Sequence, residues 1–288
     1  MSEKETCSSA SGCERGSCEG CPSKQGAQKQ QSFQVAMNEA SDIKHVIGVV
    51  SGKGGVGKSF VTSSLATALA KKGYRVGILD ADITGPSIPK MFGLHGQVVG
   101  DESGMRPLET PEGIRIMSIN LLMENEEEPV IWRGPVIGGV VKQFWSEPVW
   151  GELDYLFVDM PPGTGDVPLT VFQSLPVNGI VIVTSPQELV QMIVKKAYHM
   201  AQAMDIPVLG VVENFSYLEC PDCGRKISVF GESHIDEVAA ELGVEVLGRL
   251  PLNPSYAGMA DEGRFYELEL PQLDYAVEVL KKAVGEMV

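Results

Sequence analysis

A chain of 288 residues, 43% of them hydrophobic, can bury one large core, and we expect a single folded domain. The formal net charge of −15 argues against a broad nucleic-acid-binding surface, because phosphate contacts need clustered Lys and Arg. The N-terminus lacks the basic and then apolar pattern of a signal peptide, and no uninterrupted apolar run is long enough to span a bilayer. We therefore expect a cytoplasmic protein that binds neither nucleic acid nor membrane.

Residues 1–40 differ in composition from the rest of the chain, being rich in Ser, Gln, Glu, Lys and Gly. Such a segment cannot offset the conformational entropy lost on ordering, so it predicts a flexible arm before a folded domain at 41–288. The six cysteines form two distant clusters, a pattern that favours metal ligation over disulfides in a reducing cytosol. They are Cys7, Cys13, Cys18 and Cys21 in the arm, and Cys220 and Cys223 downstream.

From residue 45 onward, short apolar runs rich in Val and Ile alternate with helix-length segments. This alternation predicts a doubly wound α/β domain whose mainly parallel sheet is covered on both faces. After the first run, Val61, Leu65 and Leu69 recur at helical spacing, and Gly73 is a plausible helix end. The predicted strands are 45–51, 75–82, 114–120, 155–160, 179–185, 208–214 and 244–250.

The segment 52–59 fits the pattern G-x-x-x-x-G-K-[ST] and lies between a predicted strand and a predicted helix. In that setting, glycines allow the backbone to curl around phosphate oxygens, the helix N-terminus supplies partial positive charge, and a lysine adds a full charge. The segment therefore predicts a nucleoside triphosphate site with magnesium. Its residues are Gly52, Lys53, Gly54, Gly55, Val56, Gly57, Lys58 and Ser59, followed by Phe60.

Two predicted strands end in carboxylates, at Asp80 and Asp82 and at Asp159. Ligands of open α/β sheets collect at the carboxyl ends of strands, which would bring these side chains to the phosphate loop. Hydrolysis of a phosphoanhydride needs a metal and a group that positions water, and carboxylates can serve both needs. Asp166 lies further along the second segment, and capping of the next helix is an alternative role for it and for Asp80.

A Cys-x-x-Cys turn, Cys220 to Cys223, can present two thiolates to one metal centre, but two ligands do not complete a site. The missing pair can come from Cys18 and Cys21 of the same chain, which would give an intramolecular Cys₄ zinc site. It can also come from Cys220 and Cys223 of a second subunit, which would give a shared site.

The phosphate loop resembles that of the deviant Walker A ATPases, a group that includes the nitrogenase iron protein and the septum- and plasmid-positioning ATPases. The resemblance lies in Lys53, the second lysine of the loop. In that group this lysine reaches the phosphates of the partner's nucleotide across a dimer interface. The resemblance therefore implies a nucleotide-dependent homodimer.

The motifs between residues 52 and 251 together resemble the Mrp-type (ApbC-type) iron–sulfur cluster carriers. The matching motifs are the double-lysine loop, Asp80-Ala81-Asp82, Trp132-Arg133-Gly134-Pro135, the run from Asp159 to Asp166, and Glu213-Asn214 before Cys220-Pro221-x-Cys223-Gly224. The resemblance implies an ATPase whose Cys220 and Cys223, from two subunits, hold a labile cluster, commonly [4Fe–4S], for delivery to apo-proteins.

The same resemblance implies roles for individual residues. Asp82 would position the attacking water, and Asp159 would be the Walker B group near magnesium, with Ser59 as a ligand and Asp80 as an outer partner. Asn214 would contact adenine, and Pro251 would flank the base.

The N-terminal arm matches the family less closely. Its Cys18 and Cys21 resemble the short motif of the cytosolic scaffold branch, but the four cysteines here are spaced C-x₅-C-x₄-C-x₂-C. A second cluster on Cys7, Cys13, Cys18 and Cys21 is a hypothesis, because both iron–sulfur clusters and zinc accept four cysteines. Alternative functions for the whole chain are a nucleotide switch with a structural zinc site, a positioning ATPase and a reductase.

Overall fold

The structure is a computed structural model, and it describes residues 34–83, 85, 87–123, 134–187 and 189–285. Contacts group the described residues from Gln34 onward into one compact unit. Residues 34–40 are part of this unit: Val35 N donates to the Ser174 carbonyl, and Trp145 Nε1 donates to the Val35 carbonyl. Cys7, Cys13, Cys18, Cys21, Trp132, Arg133 and the acidic segment 124–128 lie outside the described residues.

The strands and helices are named in chain order. The strands are β1 (Asp42–Ser51), β2 (Val76–Asp80), β3 (Gly100–Asp101), β4 (Gly104–Met105), β5 (Leu108–Glu109), β6 (Arg115–Met117), β7 (Glu152–Asp159), β8 (Gly179–Thr184), β9 (Val208–Glu219), β10 (Lys226–Ile227) and β11 (Val246–Pro251). The helices are α1 (Lys58–Lys71), α2 (Ile88–Met91), α3 (Gly134–Ser146), α4 (Asp166–Ser174), α5 (Leu189–Ala203), α6 (Ile235–Leu242), α7 (Pro254–Asp261) and α8 (Asp274–Gly285). Short 3₁₀ helices span Ile119–Leu122, Phe265–Glu267 and Pro271–Leu273.

The main sheet has the order β10-β9-β8-β1-β7-β2-β6-β5, and β11 also pairs with β9. Its central pairs are parallel, from β6 through β2, β7, β1 and β8 to β9, and β11 is parallel to β9. Strands β5 and β10 add antiparallel edges. The predicted mainly parallel α/β fold is confirmed, and each of the seven predicted strands is present.

Each face of the sheet is covered by its own set of helices, because alternate residues of the strands point to opposite faces. In β1, Val46 and Val50 pack with apolar residues of α3, α4, α5 and α6. Ile47 and Val49 pack on the other face with residues of α1, α2 and α8. The apolar residues of α1 that the sequence singled out, Val61, Leu65 and Leu69, are fully buried there. Among the described residues, no helix is long and apolar enough to cross a membrane.

Candidate functional site

The loop 52–57 connects the end of β1 to the start of α1 at the carboxyl edge of the sheet. Gly55 and Gly57 have positive φ angles, 79° and 81°, which other residues rarely adopt. A Cβ on Gly57 would lie 2.1 Å from Asn214 Nδ2, so this position has no room for a side chain. The loop can therefore form a close cradle with its backbone N–H groups at the N-terminus of α1, as an anion requires.

Lys58 is the first residue of α1, and its side chain is only 5% exposed. Its Nζ lies 2.8 Å from Asp159 Oδ2 and 3.4 Å from Asp82 Oδ2, and makes no hydrogen bond of good geometry within the described structure. Burial acts to lower the pKa of Lys58, but the charges of Asp159 and Asp82 outweigh it and raise that pKa overall. The ammonium group thus stays charged and retains hydrogen-bonding capacity for a phosphate.

Asp159, at the end of β7, is fully buried and accepts hydrogen bonds from two residues of α1. Ser59 Oγ donates to its Oδ2 at 2.6 Å, and Thr62 Oγ1 donates to its Oδ1 at 2.7 Å. A serine hydroxyl and a carboxylate held together beside the loop are suitable oxygen ligands for magnesium. The predicted pair Ser59 and Asp159 thus meets in the structure.

Asp80, at the end of β2, is the register partner of Asp159. Its Oδ2 accepts from Ser118 Oγ at 3.0 Å, and its Oδ1 accepts from Asp82 N at 3.2 Å. Complete burial, reinforced by the charge of Asp159, raises the pKa of Asp80 to about 8. In the absence of metal, Asp80 is therefore protonated at neutral pH. This position beside Asp159 fits the expected outer partner.

A cavity of about 250 Å³ opens over the loop. It is lined by Gly54, Gly55, Gly57, Lys58 and Ser59, by Asp82, Gly85, Ser87 and Met91, and by Pro162. The 161–166 segment is attached to this site through a hydrogen bond of 2.8 Å from Gly163 N to the Ser51 carbonyl. Asp82 thus borders the same cavity as the glycines and Lys58 of the loop. Asp166 is the exposed first residue of α4.

A second cavity of about 440 Å³ is lined mostly by apolar residues and shares Phe60 and Met91 with the first. Asn214, predicted to contact adenine, and Pro251, predicted to flank the base, both line it, together with Phe215 and Tyr256. The Phe60 and Tyr256 rings are stacked, with centroids 5.7 Å apart. The sequence did not reveal that Asn214 Nδ2 also donates to the Val56 carbonyl at 3.0 Å, which fixes the phosphate loop. Thr62 and Ser118 were also missed, although Thr62 follows Lys58 by one helical turn.

Lys53 does not join the buried cluster around Lys58. Its side chain is exposed, and its Nζ donates to Gln187 Oε1 at 2.6 Å. An exposed hydrogen bond between two flexible side chains is weak, so Lys53 can exchange it for a stronger charged partner.

Cys220 and Cys223 lie at the tip of the hairpin formed by β9 and β10. Gly224 N donates to the Cys220 carbonyl at 2.9 Å, and Gly224 has a φ of 68° that closes the turn. The backbone N–H groups of Asp222 and Cys223 donate to the Cys220 sulfur, and with the Cys223 side chain they lower the pKa of that thiol. Among the described residues, no group of three or more His, Cys, Asp or Glu could hold a metal. The two thiols of this turn, which we name the Cys220–Cys223 half-site, are donors of the kind that thiophilic metals prefer.

The comparisons with known proteins agree on one family. The family model described as ParA, the NUBPL iron-transfer P-loop NTPase, matches residues 42–287. The iron-sulfur cluster carrier protein of Clostridium perfringens is 51% identical over 234 residues, which are 78% of this chain and 82% of the relative. That of Methanocaldococcus jannaschii is 45% identical over 95% of this chain and 96% of its own length.

Solved structures show the same relationship. A nucleotide-binding protein from Archaeoglobus fulgidus, solved in complex with ADP, has a TM-score of 0.73 and 45% identity, and the match covers 81% of this chain and 91% of that one. The cell division protein MinD of Aquifex aeolicus has a TM-score of 0.56 over 85% of this chain and 98% of its own, but at 22% identity it indicates the fold alone. Because the family model matches residues 42–287 and these relatives are 51% and 45% identical, the chain belongs to the NUBPL iron-transfer P-loop NTPases of the ParA group.

Proposed function

We propose that this protein is an ATP-dependent iron–sulfur scaffold and carrier. In this proposal, Cys220 and Cys223 of two identical chains bind one labile [4Fe–4S] cluster, which is then transferred to apo-proteins. The observation that carries the proposal is the Cys220–Cys223 half-site on a P-loop NTPase fold. Relatives at 51% and 45% identity are named iron-sulfur cluster carrier proteins, which supports the same cargo here.

The nucleotide part of the proposal depends on the two cavities that share Phe60 and Met91. The phosphates of ATP would lie on the loop against Lys58, and the adenine would enter the apolar cavity beside Asn214, Phe60 and Pro251. Ser59 and Asp159 would hold magnesium, with Asp80 behind them, and the metal would neutralise charge on the phosphates. Asp82 is the group that would orient the attacking water.

The donor chemistry of the hairpin favours an iron–sulfur cargo. Thiolates bind iron–sulfur clusters and zinc, and the N–H groups that point at the Cys220 sulfur stabilise its negative charge. Cys223 is exposed, so the half-site can meet a second copy and can also release what it holds. Four cysteines around one cluster need either two copies of this pair or the pair plus Cys18 and Cys21.

Anaerobic purification tests the cargo. Iron, zinc, acid-labile sulfide and the mass in solution would be measured on the wild type, on a Cys220→Ser/Cys223→Ser variant and on a matched Cys18→Ser/Cys21→Ser variant. We expect about four iron and four sulfide per wild-type dimer, and loss of both in the first variant. Zinc without sulfide in the wild type would refute the carrier and favour a nucleotide switch with a structural zinc site.

The second variant separates two sites. If iron per chain is unchanged in Cys18→Ser/Cys21→Ser, the arm holds no cluster of its own and does not complete the hairpin site. If Cys18→Ser/Cys21→Ser binds less iron than the wild type, and Cys220→Ser/Cys223→Ser still binds some iron, the arm holds the additional cluster proposed from its four cysteines.

A further inference from the structure

Phe215 has a backbone conformation that its position in a strand does not predict. Its φ is 58°, in the left-handed region, where a bulky residue is a genuine outlier. It lies inside β9, between Asn214 and Ser216. Around it the register with β11 shifts, because Arg249 pairs with Glu213 and Pro251 pairs with Tyr217. Residues 213–217 of β9 thus lie opposite residues 249–251 of β11. The two extra residues of β9 form a bulge that contains Phe215.

One side of this bulge contacts the phosphate loop. Asn214 Nδ2 donates to the Val56 carbonyl at 3.0 Å. The Phe215 ring also borders the loop, since its Cζ would lie 3.5 Å from a Cβ on Gly57. Any movement of the loop around bound phosphates would therefore act on Asn214 and Phe215 directly.

The other side of the bulge holds the base of the cysteine hairpin. Glu213 is 1% exposed, and its carboxylate accepts from Ser216 Oγ and from Ser233 Oγ, each at 2.6 Å. Ser216 precedes the hairpin and Ser233 follows it, so Glu213 ties both ends of the segment that carries Cys220 and Cys223. Cys220 follows Asn214 by six residues, roughly 20 Å along an extended strand.

We propose that residues 213–216, which we name the β9 joint, transmit nucleotide binding at the phosphate loop to the position of Cys220 and Cys223. The functional meaning of that coupling rests on the proposed carrier function. Backbone strain persists only where surrounding contacts hold it. Here those contacts are made with the phosphate loop on one side and with the base of the cysteine hairpin on the other. When nucleotide tightens the loop, the pull on Asn214 moves Phe215 toward an ordinary strand conformation and reorients the chain that follows. The joint therefore has two states, and nucleotide favours one of them.

The test measures alkylation of Cys220 and Cys223 in metal-free protein, with peptide mapping to separate them from the other four cysteines. Rates are compared without nucleotide and with a saturating non-hydrolysable ATP analogue and magnesium, after the affinity of each variant has been measured. We expect nucleotide to change the wild-type rate by about fivefold or more, the lower end of typical coupling between sites. An unchanged wild-type rate would overturn the proposal.

Two matched variants isolate the backbone of the joint. Phe215→Gly and Phe215→Ala both remove the ring, but only glycine occupies the left-handed region without strain. We expect the nucleotide effect to persist in the alanine variant and to disappear in the glycine variant. Equal behaviour of the two variants, whether both keep the effect or both lose it, would show that backbone strain does not carry the coupling.

A third variant acts on the hairpin side. Glu213→Ala removes both oxygens that accept from the two serines, and Glu213 lines neither nucleotide cavity. We expect the nucleotide effect on the cysteines to fall, and a retained effect would remove Glu213 from the joint. Hydrogen exchange of the backbone amides of residues 217–231, compared with and without the nucleotide analogue in the wild-type protein, tests the same coupling without any substitution. Because none of these measurements needs a cluster, a protein that binds no iron could still show the coupling, so the two proposals fail separately.

Discussion

Lys58 is held between two carboxylates before any phosphate binds. Truncation to alanine would remove the positive charge that meets the phosphates and leave Asp159 buried without its ion-pair partner. We expect the Lys58→Ala variant to hydrolyse ATP at least about 100-fold more slowly, as when a preorganised charged donor is lost from a reaction site. The steady-state release of phosphate measures this.

A matched control for that variant is Lys281→Ala. Lys281 lies on α8 and pairs with Glu278, so the substitution removes the same charge far along the chain from the loop. Its hydrolysis rate should equal that of the wild type. A Lys58→Ala rate close to wild type would remove Lys58 from the chemistry.

Asp80 should make stability depend on pH in an unusual direction. Its carboxyl keeps a proton in the folded, metal-free protein up to a pKa of about 8, whereas the ordinary value is 3.8. Between these values the folded state binds more protons than the unfolded state, so the contribution of Asp80 to stability falls as pH rises. Asparagine stays neutral and can still accept from Ser118.

We therefore expect Asp80→Asn to gain stability over the wild type as the pH increases from about 5 to about 8. Urea unfolding of both proteins without magnesium or nucleotide measures the difference. A constant difference across this range would mean that Asp80 is ionised throughout, and the assigned pKa would be wrong.

At the residue scale, sequence patterns identify groups whose chemistry follows from a motif. Gly52–Ser59, Asp80 and Asp159 lie where strand ends predict them, because parallel strands bring their carboxyl ends to one edge. The left-handed Phe215 has no such signal, since phenylalanine favours ordinary strand geometry. The bond from Asn214 to Val56 also depends on which strands become neighbours, and spacing along the chain does not encode that.

Among the elements, three strands of the sheet are joined by a single carboxylate on β7. Asp154 accepts from Lys44 Nζ of β1 at 2.8 Å and from Arg75 N, just before β2, at 2.9 Å. Hydrogen bonds from Arg75, opposed by partial burial, lower the pKa of Asp154. The stabilisation is therefore present above the unfolded pKa near 3.8 and is lost as pH falls below it.

We expect Asp154→Asn to lower the free energy of unfolding by about 1 kcal/mol at neutral pH, a modest value because Lys44 and Arg75 are well exposed. The deficit should shrink in acid. Glu152→Gln is the control: Glu152 also pairs with Arg75, but it is 73% exposed and should contribute little. Equal urea midpoints for all three proteins at neutral pH would contradict the role of Asp154.

Elements with strong periodicity were predictable, and those made by long-range pairing were not. Apolar runs predicted the seven parallel strands, yet the run at 208–214 continues to Glu219 in the structure. Beyond Asn214 the strand is maintained by pairing with β11 and β10. The short strands β3, β4 and β5 have no distinct hydrophobic pattern, so no periodicity along the chain predicts them.

For the molecule as a whole, the resemblance of Lys53 to the second loop lysine of the deviant Walker A ATPases implies a nucleotide-dependent dimer. In the proposed assembly its ammonium leaves Gln187 for the phosphates bound by the partner. In metal-free protein, we expect the mass in solution to double on addition of a non-hydrolysable ATP analogue to the wild type and to Lys281→Ala, but not to Lys53→Ala. Doubling in Lys53→Ala would show that this lysine does not hold the two copies together.

Mixed dimers can separate a shared cluster site from an intramolecular one. A dimer with one wild-type chain and one Cys220→Ser/Cys223→Ser chain can be isolated through two different affinity tags. In an isologous dimer, each chain contributes the same surface, so a shared cluster loses half of its ligands when one hairpin is changed. We expect such dimers to bind almost no iron after anaerobic reconstitution.

The alternative gives a different amount of iron in the same dimers. If Cys18 and Cys21 completed the hairpin site within each chain, the wild-type chain would remain fully equipped and the mixed dimer would keep half of the wild-type iron. A dimer mixed instead with Lys281→Ala, whose hairpin and phosphate loop are intact, controls for the handling of mixed subunits and should bind a full cluster. Half occupancy in the cysteine mixture would therefore place the cluster inside one chain and remove the reason for a second copy at the hairpin.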